Sequence, residues 1–285
     1  MNGKIAFIGP GVMAEAMISG LIRQKLEQPQ NLIAAGPSLE RLTVLQKKYN
    51  IEIETDNSKA AEAAEVVVLS VKPQKLDRVL KGLKGHIQPE ALILSIVAGA
   101  PIEKIATGVN HPYVVRSMPN TPAQIGEGIT VWTIASPVTE EQKERARRIL
   151  TALGDEIFVE EENYLDMATA LSGTGPAYVF LFMEAMVDAG VHLGFPRRIA
   201  EQLVAKTVRG SVDYYMRRED QVHLARLRNE VTSPGGTSAA ALYYLEKAGF
   251  RTAISRAIWA AYERSRELGK DARARPPENH KDNSD

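Results

Sequence analysis

A short aliphatic run at the start of the chain, Lys4-Ile5-Ala6-Phe7-Ile8, passes without a spacer into Gly9-Pro10-Gly11-Val12-Met13-Ala14. Helical spacing follows over Val12–Gln24. Few folds use a strand, a turn of that composition and a helix in immediate succession. Gly9 permits the tight turn, Gly11 lets the backbone approach a ligand, and Ala14 lets the helix pack close to the strand. The helix N-terminus then offers unpaired N–H groups to an anion. This is the G-x-G-x-x-G/A dinucleotide fingerprint in its required context, with further βα units downstream.

The rest of the first half agrees. Asn31–Ala35, Val66–Val71, Leu92–Val97 and Tyr113–Arg116 are short and mostly aliphatic, as strands buried on both faces are. Between them Leu39–Tyr49 and Gln74–Leu80 carry helical spacing. A strand at Ile129–Ile134, a helix at Glu140–Leu153 and a strand at Glu156–Val159 close an expected α/β, Rossmann-type dinucleotide-binding domain over residues 1–163.

After Asn163 nothing reads as a strand. Helices are expected at Tyr164–Leu171, Pro176–Leu193, Pro196–Arg217, Gln221–Glu230, Ser238–Lys247 and Arg251–Leu268. Pro176 and Pro196 sit in first turns, and Gly194 sits where a helix would stop. These form an all-helical domain over 164–269. Val179, Phe182, Met183, Met186 and Val187 make an unusually apolar stripe, which suits either a dimer interface or an internal core. Residues 270–285 are polar, contain Pro276-Pro277 and are expected to be a disordered tail.

Composition narrows the chemistry. The 285 residues fit two domains at roughly 150 each. Lys+Arg and Asp+Glu are both 35, so neither nucleic acid nor an anionic membrane is an expected partner. There is no cysteine for a thiolate, a disulfide or a metal site, and the five histidines are scattered, so no metal is expected. Ile5–Ile8 is too short for a signal peptide, no apolar run reads as long as a membrane span, and a cytoplasmic location is expected.

Cofactor choice is written after the second strand. NAD-selective sites place an acid there, roughly 20 residues past the glycines, to hold the ribose 2′-OH. Here the chain reads Ala34-Ala35-Gly36-Pro37-Ser38 and then Arg41, a hydroxyl and a cation suited to a 2′-phosphate. That favours NADPH, with NADH possible. The alternative is that Ser38 caps the next helix and Arg41 lies on its solvated face.

Five segments together resemble the pyrroline-5-carboxylate reductase family, from Lys4 to about Leu268. They are Ile8–Ala16, Val71-Lys72-Pro73-Gln74, Arg116-Ser117-Met118-Pro119-Asn120-Thr121-Pro122, Ser172-Gly173-Thr174-Gly175-Pro176-Ala177-Tyr178, and Leu227-Arg228-Asn229-Glu230-Val231-Thr232-Ser233-Pro234-Gly235-Gly236-Thr237-Ser238. The last is the most family-specific. The family commonly ends it Gly-Gly-Thr-Thr; Ser238 keeps the final hydroxyl and loses a methyl.

The resemblance implies reduction of a small imino acid, 1-pyrroline-5-carboxylate, to L-proline by hydride transfer from NAD(P)H, in a homodimer or higher homo-oligomer. It implies that Gly9, Gly11, Val12, Met13, Ala14, Gly36, Ser38, Arg41, Ser70, Val71, Lys72, Pro73, Ala98, Gly99 and Asn120 surround the cofactor. Ser233, Gly235, Gly236, Thr237 and Ser238 would hold the substrate, with Ser238 and Thr237 as the catalytic hydroxyls. Lys72 and Asn120 also have plain readings, as a solvated lysine and a turn former. Glu219 and Asp220 are loop acids with no mark of a proton-transfer role. Two rival functions remain: a β-hydroxyacid or other imine reductase, for which Lys206 is the sole lysine candidate, and a non-catalytic regulatory relative.

Overall fold

In a computed structural model of the chain, residues 3–218 and 222–274 are described. The acids Glu219 and Asp220, the expected helix start at Gln221 and the tail past 274 lie outside them. The chain divides into two compact units. One runs to Thr174 and is rejoined by the chain from Ala261; the other is Gly175–Ala260.

The first unit is built on an eight-stranded sheet of order β3-β2-β1-β4-β5-β6-β7-β8. Its strands are β1 (Lys4–Ile8), β2 (Leu32–Ala35), β3 (Glu52–Glu54), β4 (Ala64–Leu69), β5 (Leu92–Ser95), β6 (Val114–Met118), β7 (Gly128–Ile134) and β8 (Gly154–Phe158). All neighbours pair in parallel except β6 and β7. Ile5 is in register with Leu32 on one side and Val66 on the other. Ile5–Ile8 are wholly buried, which is why the run carries no polar residue. The chain leaves β1 toward β2 on one side and later returns to β4 on the other. This reversal opens a crevice at the strands' carboxyl ends, where open α/β sheets bind ligands.

Helices α1 (Val12–Arg23), α2 (Leu39–Tyr49), α3 (Asn57–Glu62), α4 (Leu76–Leu83), α5 (Ile102–Val109) and α6 (Glu140–Leu150) cover the faces. Their ends are legible in side chains. Ser38 caps α2 by accepting from the Arg41 amide, Asn50 ends that helix with φ 55°, and Thr139 and Gln142 form a reciprocal capping box on α6. Three elements escape the sequence pattern. β3 is only Glu-Ile-Glu, α3 has six residues, and α5 is an eight-residue helix behind Pro101.

Arg116 on β6 is buried, at 4% exposure, and pairs with Glu162 at 2.9 Å and Asp166 at 3.0 Å. Ser265 donates its hydroxyl to the same Asp166 oxygen at 2.8 Å. The last turns of the C-terminal helix are thereby fastened to this unit.

The described helices of the second half are α7 (Tyr164–Ala168), α8 (Gly175–His192), α9 (Arg197–Met216), α10 (Leu224–Glu230), α11 (Thr237–Lys247) and α12 (Phe250–Ala274). A π-turn at Thr169–Gly173 joins α7 to α8, where two separate helices are expected from sequence. The continuous 29-residue run, Tyr164–His192, is long and apolar enough by length and composition to cross a bilayer. That corrects the expectation of no such run; its apolar positions were divided by the glycines at 173 and 175. Helix α12 runs through Ala274, past the expected start of the tail at 270.

The stripe on α8 divides. Val187 is buried with Ala200 and Val204 of α9, and Met183 and Met186 are partly buried against that cluster. Phe180 and Leu181 stand 64% and 67% exposed. Phe182 lies between these fates, 6.4 Å from the ring of Phe250. Met186 therefore belongs to an internal contact, and the exposed apolar face is carried by Val179, Phe180 and Leu181.

Candidate active site

The fingerprint turn has the form its glycines require. Gly9 sits at φ +89°, and a Cβ there would lie 2.5 Å from Val71 Cγ1. Gly11 is the N-cap of α1 with no side-chain cap, so the first N–H groups of the helix stay available to an anion. Val12 is exposed, Met13 is partly buried, and Ala14 is packed at the sheet. Across the crevice Ser70 donates its hydroxyl to the Ile8 and Gly9 carbonyls at 3.0 and 2.9 Å. Sequence names it beside the cofactor; the structure gives its hydroxyl the task of bracing the glycine turn.

A cavity of about 490 Å³ opens from this turn, lined by Gly9, Gly36, Val71 and, farther along, by Asn57, Lys75 and Arg78. The Asn57 carboxamide oxygen is buried with no hydrogen-bond partner among the described residues. A buried acceptor left unmatched costs stability, so a ligand donor is its natural complement. Sequence reasoning missed Asn57 because it sits at the start of a six-residue helix with no pattern of its own. Asp56 beside it caps that helix; hydrogen bonds from Ser58 hold its carboxyl below the usual range. A side-chain-free turn and an orphaned polar atom in one cavity, with an uncapped helix N-terminus two residues past Gly9, fit a dinucleotide.

Of the residues expected at the 2′-position, Gly36 lies against Pro10, and Ser38 caps α2, the alternative weighed from sequence. Arg41 does not project freely from its helix. Its Nε donates to the Pro10 carbonyl at 3.0 Å and its Nη2 pairs with Glu15. Lys72 is exposed, without an ion pair among the described residues, just before a 3-10 turn opened by Pro73. Asn120 accepts from the Ile129 amide at 3.0 Å, a bond that braces the loop and leaves its NH₂ group for other partners.

Ala98 lies in the turn after β5, half-buried, and Gly99 next to it is buried with φ +65°. A Cβ on Gly99 would stand 3.0 Å from Leu268 Cβ and 3.4 Å from the Ser265 carbonyl. The positive φ and the crossing of α12 both require glycine here.

In the second unit Pro234 and Gly235 form a turn, and Gly236 is the N-cap of α11 with no side-chain cap. Neither Ser233 nor Thr237 caps this helix with its side chain. A Cβ on Gly236 would meet the Ser233 hydroxyl at 2.4 Å, so the turn closes tightly over that serine. Thr237 and Ser238 occupy the first two helical positions, and Ser238 is half-buried. None of the three hydroxyls carries a side-chain hydrogen bond among the described residues. The arrangement offers free N–H donors, a positive helix end and unengaged hydroxyls within one turn. Lys206 is exposed on α9 beside Ile199, Gln202, Leu203 and Thr207, with no acid or base among those neighbours.

Residues 162–268 match the family model for pyrroline-5-carboxylate reductase dimerisation, and residues 4–99 match that described as NADP oxidoreductase, coenzyme F420-dependent. The pyrroline-5-carboxylate reductase of Synechocystis sp. is 43% identical over 270 residues, covering 95% of this chain and 100% of that protein. This chain belongs to the pyrroline-5-carboxylate reductase family.

Among solved structures, the pyrroline carboxylate reductase of Plasmodium falciparum, with NADP bound, superposes with a TM-score of 0.86 at 33% identity. That match covers 94% of this chain and 98% of the other. The pyrroline-5-carboxylate reductase of Coxiella burnetii gives 0.85 at 35% identity, covering 94% and 99%. The family's division of labour maps onto the two halves seen here, an NAD(P)-binding α/β half and a helical dimerisation half.

Proposed function

We propose that this protein reduces 1-pyrroline-5-carboxylate to L-proline, the final step of proline biosynthesis, with a nicotinamide dinucleotide as reductant. The observation that carries the reading is the turn before α11, set in a chain whose relatives bear that activity along their whole length. When bound, the cofactor supplies a hydride to the carbon of the substrate C=N bond. The chain supplies placement. Backbone N–H groups at the start of α11 grip the substrate carboxylate, and the two glycines keep side chains out of its way. The Ser238 hydroxyl meets the ring nitrogen and relays to it a proton from water as the carbon accepts the hydride, so that C=N becomes CH–NH, with Thr237 as its neighbour. Ser233, Gly235 and Gly236 shape the wall.

Gly9–Ala14 would hold the nucleotide's pyrophosphate, Gly36, Val71 and Asn57 its adenosine, and Lys72, Pro73, Ala98, Gly99 and Asn120 its nicotinamide end. NADPH is the preferred cofactor, because no acid follows β2 and Arg41 stands at the turn. The active form is a homodimer or a larger homo-oligomer built from the helical halves, in the cytoplasm.

A β-hydroxyacid reductase would need a lysine in a marked site, and Lys206 has no such surroundings. A non-catalytic relative would be free to lose the glycine turn and the Ser-Pro-Gly-Gly segment, and both are intact. The test is oxidation of NADPH and NADH with 1-pyrroline-5-carboxylate and, in parallel, a panel of β-hydroxyacids run in the oxidative direction. Turnover with the imino acid and a higher kcat/KM for NADPH are expected. Turnover with only a hydroxyacid would overturn the substrate, and a clear NADH advantage would overturn the cofactor.

A further inference from the structure

Behind the fingerprint lies a charge cluster that substrate placement does not use. Glu15, in the first turn of α1, turns both carboxylate oxygens toward α2. One accepts from Arg41 Nη2; the other accepts from Lys48 Nζ at 2.8 Å and from the Tyr49 hydroxyl at 2.9 Å. Arg41 also donates from Nε to the Pro10 carbonyl at 3.0 Å, inside the turn that faces the pyrophosphate. Its guanidinium is thus fastened on two sides. Burial alone would raise the Glu15 pKa; hydrogen bonds from Lys48, Arg41 and Tyr49 outweigh it and bring it to about 2. The carboxylate stays ionised across the working range, and Lys48 balances its charge. Arg41 leaves the cluster with one net positive charge.

We propose that Glu15 is a positioning residue for cofactor choice, holding Arg41 against the fingerprint turn as a pre-set receptor for the 2′-phosphate of NADP(H). The proposal rests on the reading of this chain as an NADPH-preferring reductase. An untethered arginine surrenders rotamer freedom when it meets a phosphate, whereas a tethered one has already surrendered it on folding. Arginine suits the task because its planar fork keeps edges for a phosphate after two N–H groups are engaged. A 2′-hydroxyl in place of the phosphate gains nothing comparable from that cation, so the tether acts on the ratio of the two affinities.

Position and charge make opposite predictions. Glu15→Gln raises the local charge, which by Coulomb attraction alone would tighten NADP⁺ binding. Loss of positioning weakens it. The double variant Glu15→Gln/Lys48→Gln removes the tether while restoring the parent's net charge.

The experiment measures dissociation constants of NADP⁺ and NAD⁺ by calorimetry on the full chain. The samples are the parent, Glu15→Gln, the double variant, Arg41→Ala and Arg41→Lys, each checked for folding by circular dichroism. Glu15→Gln is expected to weaken NADP⁺ on the order of tenfold and leave NAD⁺ unchanged, as loss of an orienting partner does. The double variant is expected to keep that loss. Arg41→Lys, which retains the charge but not the fork, is expected to share it and serves if the Glu15 variants misfold.

Tighter NADP⁺ binding in Glu15→Gln, equal weakening of both cofactors, or recovery of the parent's ratio in the double variant would overturn the proposal. So would an unchanged ratio in Arg41→Lys. If Arg41→Ala leaves the ratio unmoved, the assignment of the 2′-phosphate to Arg41 is itself wrong. If Arg41→Ala shifts the ratio and Glu15→Gln does not, that assignment stands and the role of Glu15 falls.

Discussion

The two units of this chain bury apolar surface on different terms. In the sheet unit, β1, β2, β4 and β5 are almost wholly enclosed, and the core extends into α1, α2, α4 and α6. In the helical unit the buried cluster is Val187, Ala200 and Val204, while Phe180, Leu181, Tyr243, Tyr244 and Trp259 face outward. A parallel sheet covered by helices completes its own core within one chain. A short stack of helices with aromatic outer faces does not, and the family's dimerisation segment coincides with that unit. The first unit encloses its own core; the second leaves large apolar side chains exposed in the segment that matches the dimerisation model.

The sharpest way to break this contrast is to charge the outer face of α8. Phe180→Asp/Leu181→Asp is expected to abolish self-association, read by light scattering at micromolar concentration. A parent-sized oligomer would show that the exposed face is not the interface. Met186→Asp, by contrast, should lower the melting temperature at every protein concentration, because Met186 packs against α9. Inside the sheet unit, Phe7→Ala removes a wholly buried ring and is expected to cost about 3–5 kcal/mol by denaturant titration. That loss should not depend on protein concentration. A concentration-dependent loss would mean that the sheet's stability also runs through the assembly.

The smallest expected effect concerns acid. Against the burial that would raise it, hydrogen bonds from Lys48, Arg41 and Tyr49 hold the Glu15 carboxyl at about 2, well below the ordinary glutamate range. A depressed carboxylate contributes stability that is fully present above the unfolded value and is lost as pH falls through the folded one. The parent should therefore lose stability between roughly pH 5 and pH 2 more steeply than Glu15→Gln. Identical slopes in thermal melts over that window would remove the tether from the acid response.

What was legible in the sequence divides along the same line. The fingerprint, the aliphatic strands and the capping serine of α2 are local signals, and they gave the fold of the sheet unit nearly whole. β3 and α3 were missed because three residues and six residues are too short to show a period, and Asn57 was lost with α3. No local pattern reveals that α12 crosses Gly99 and leaves no room there for a side chain. The α8 stripe could not be apportioned, since what separates Met186 from Leu181 is the position of α9. In the turn before α11 the hydroxyls and glycines were all visible; that no side chain caps the helix was not.

The central claim is that the sheet unit holds the nucleotide while the α11 turn of the helical unit handles the imino acid. Ser238→Ala tests it most directly, with NADPH affinity measured by fluorescence and kcat/KM for 1-pyrroline-5-carboxylate measured on the same preparation. The account predicts parent-like NADPH affinity and melting temperature, with kcat/KM lowered on the order of a hundredfold, as loss of a group acting on a proton in the transition state would do. An unchanged kcat/KM, or a loss explained by weaker NADPH binding, would contradict it.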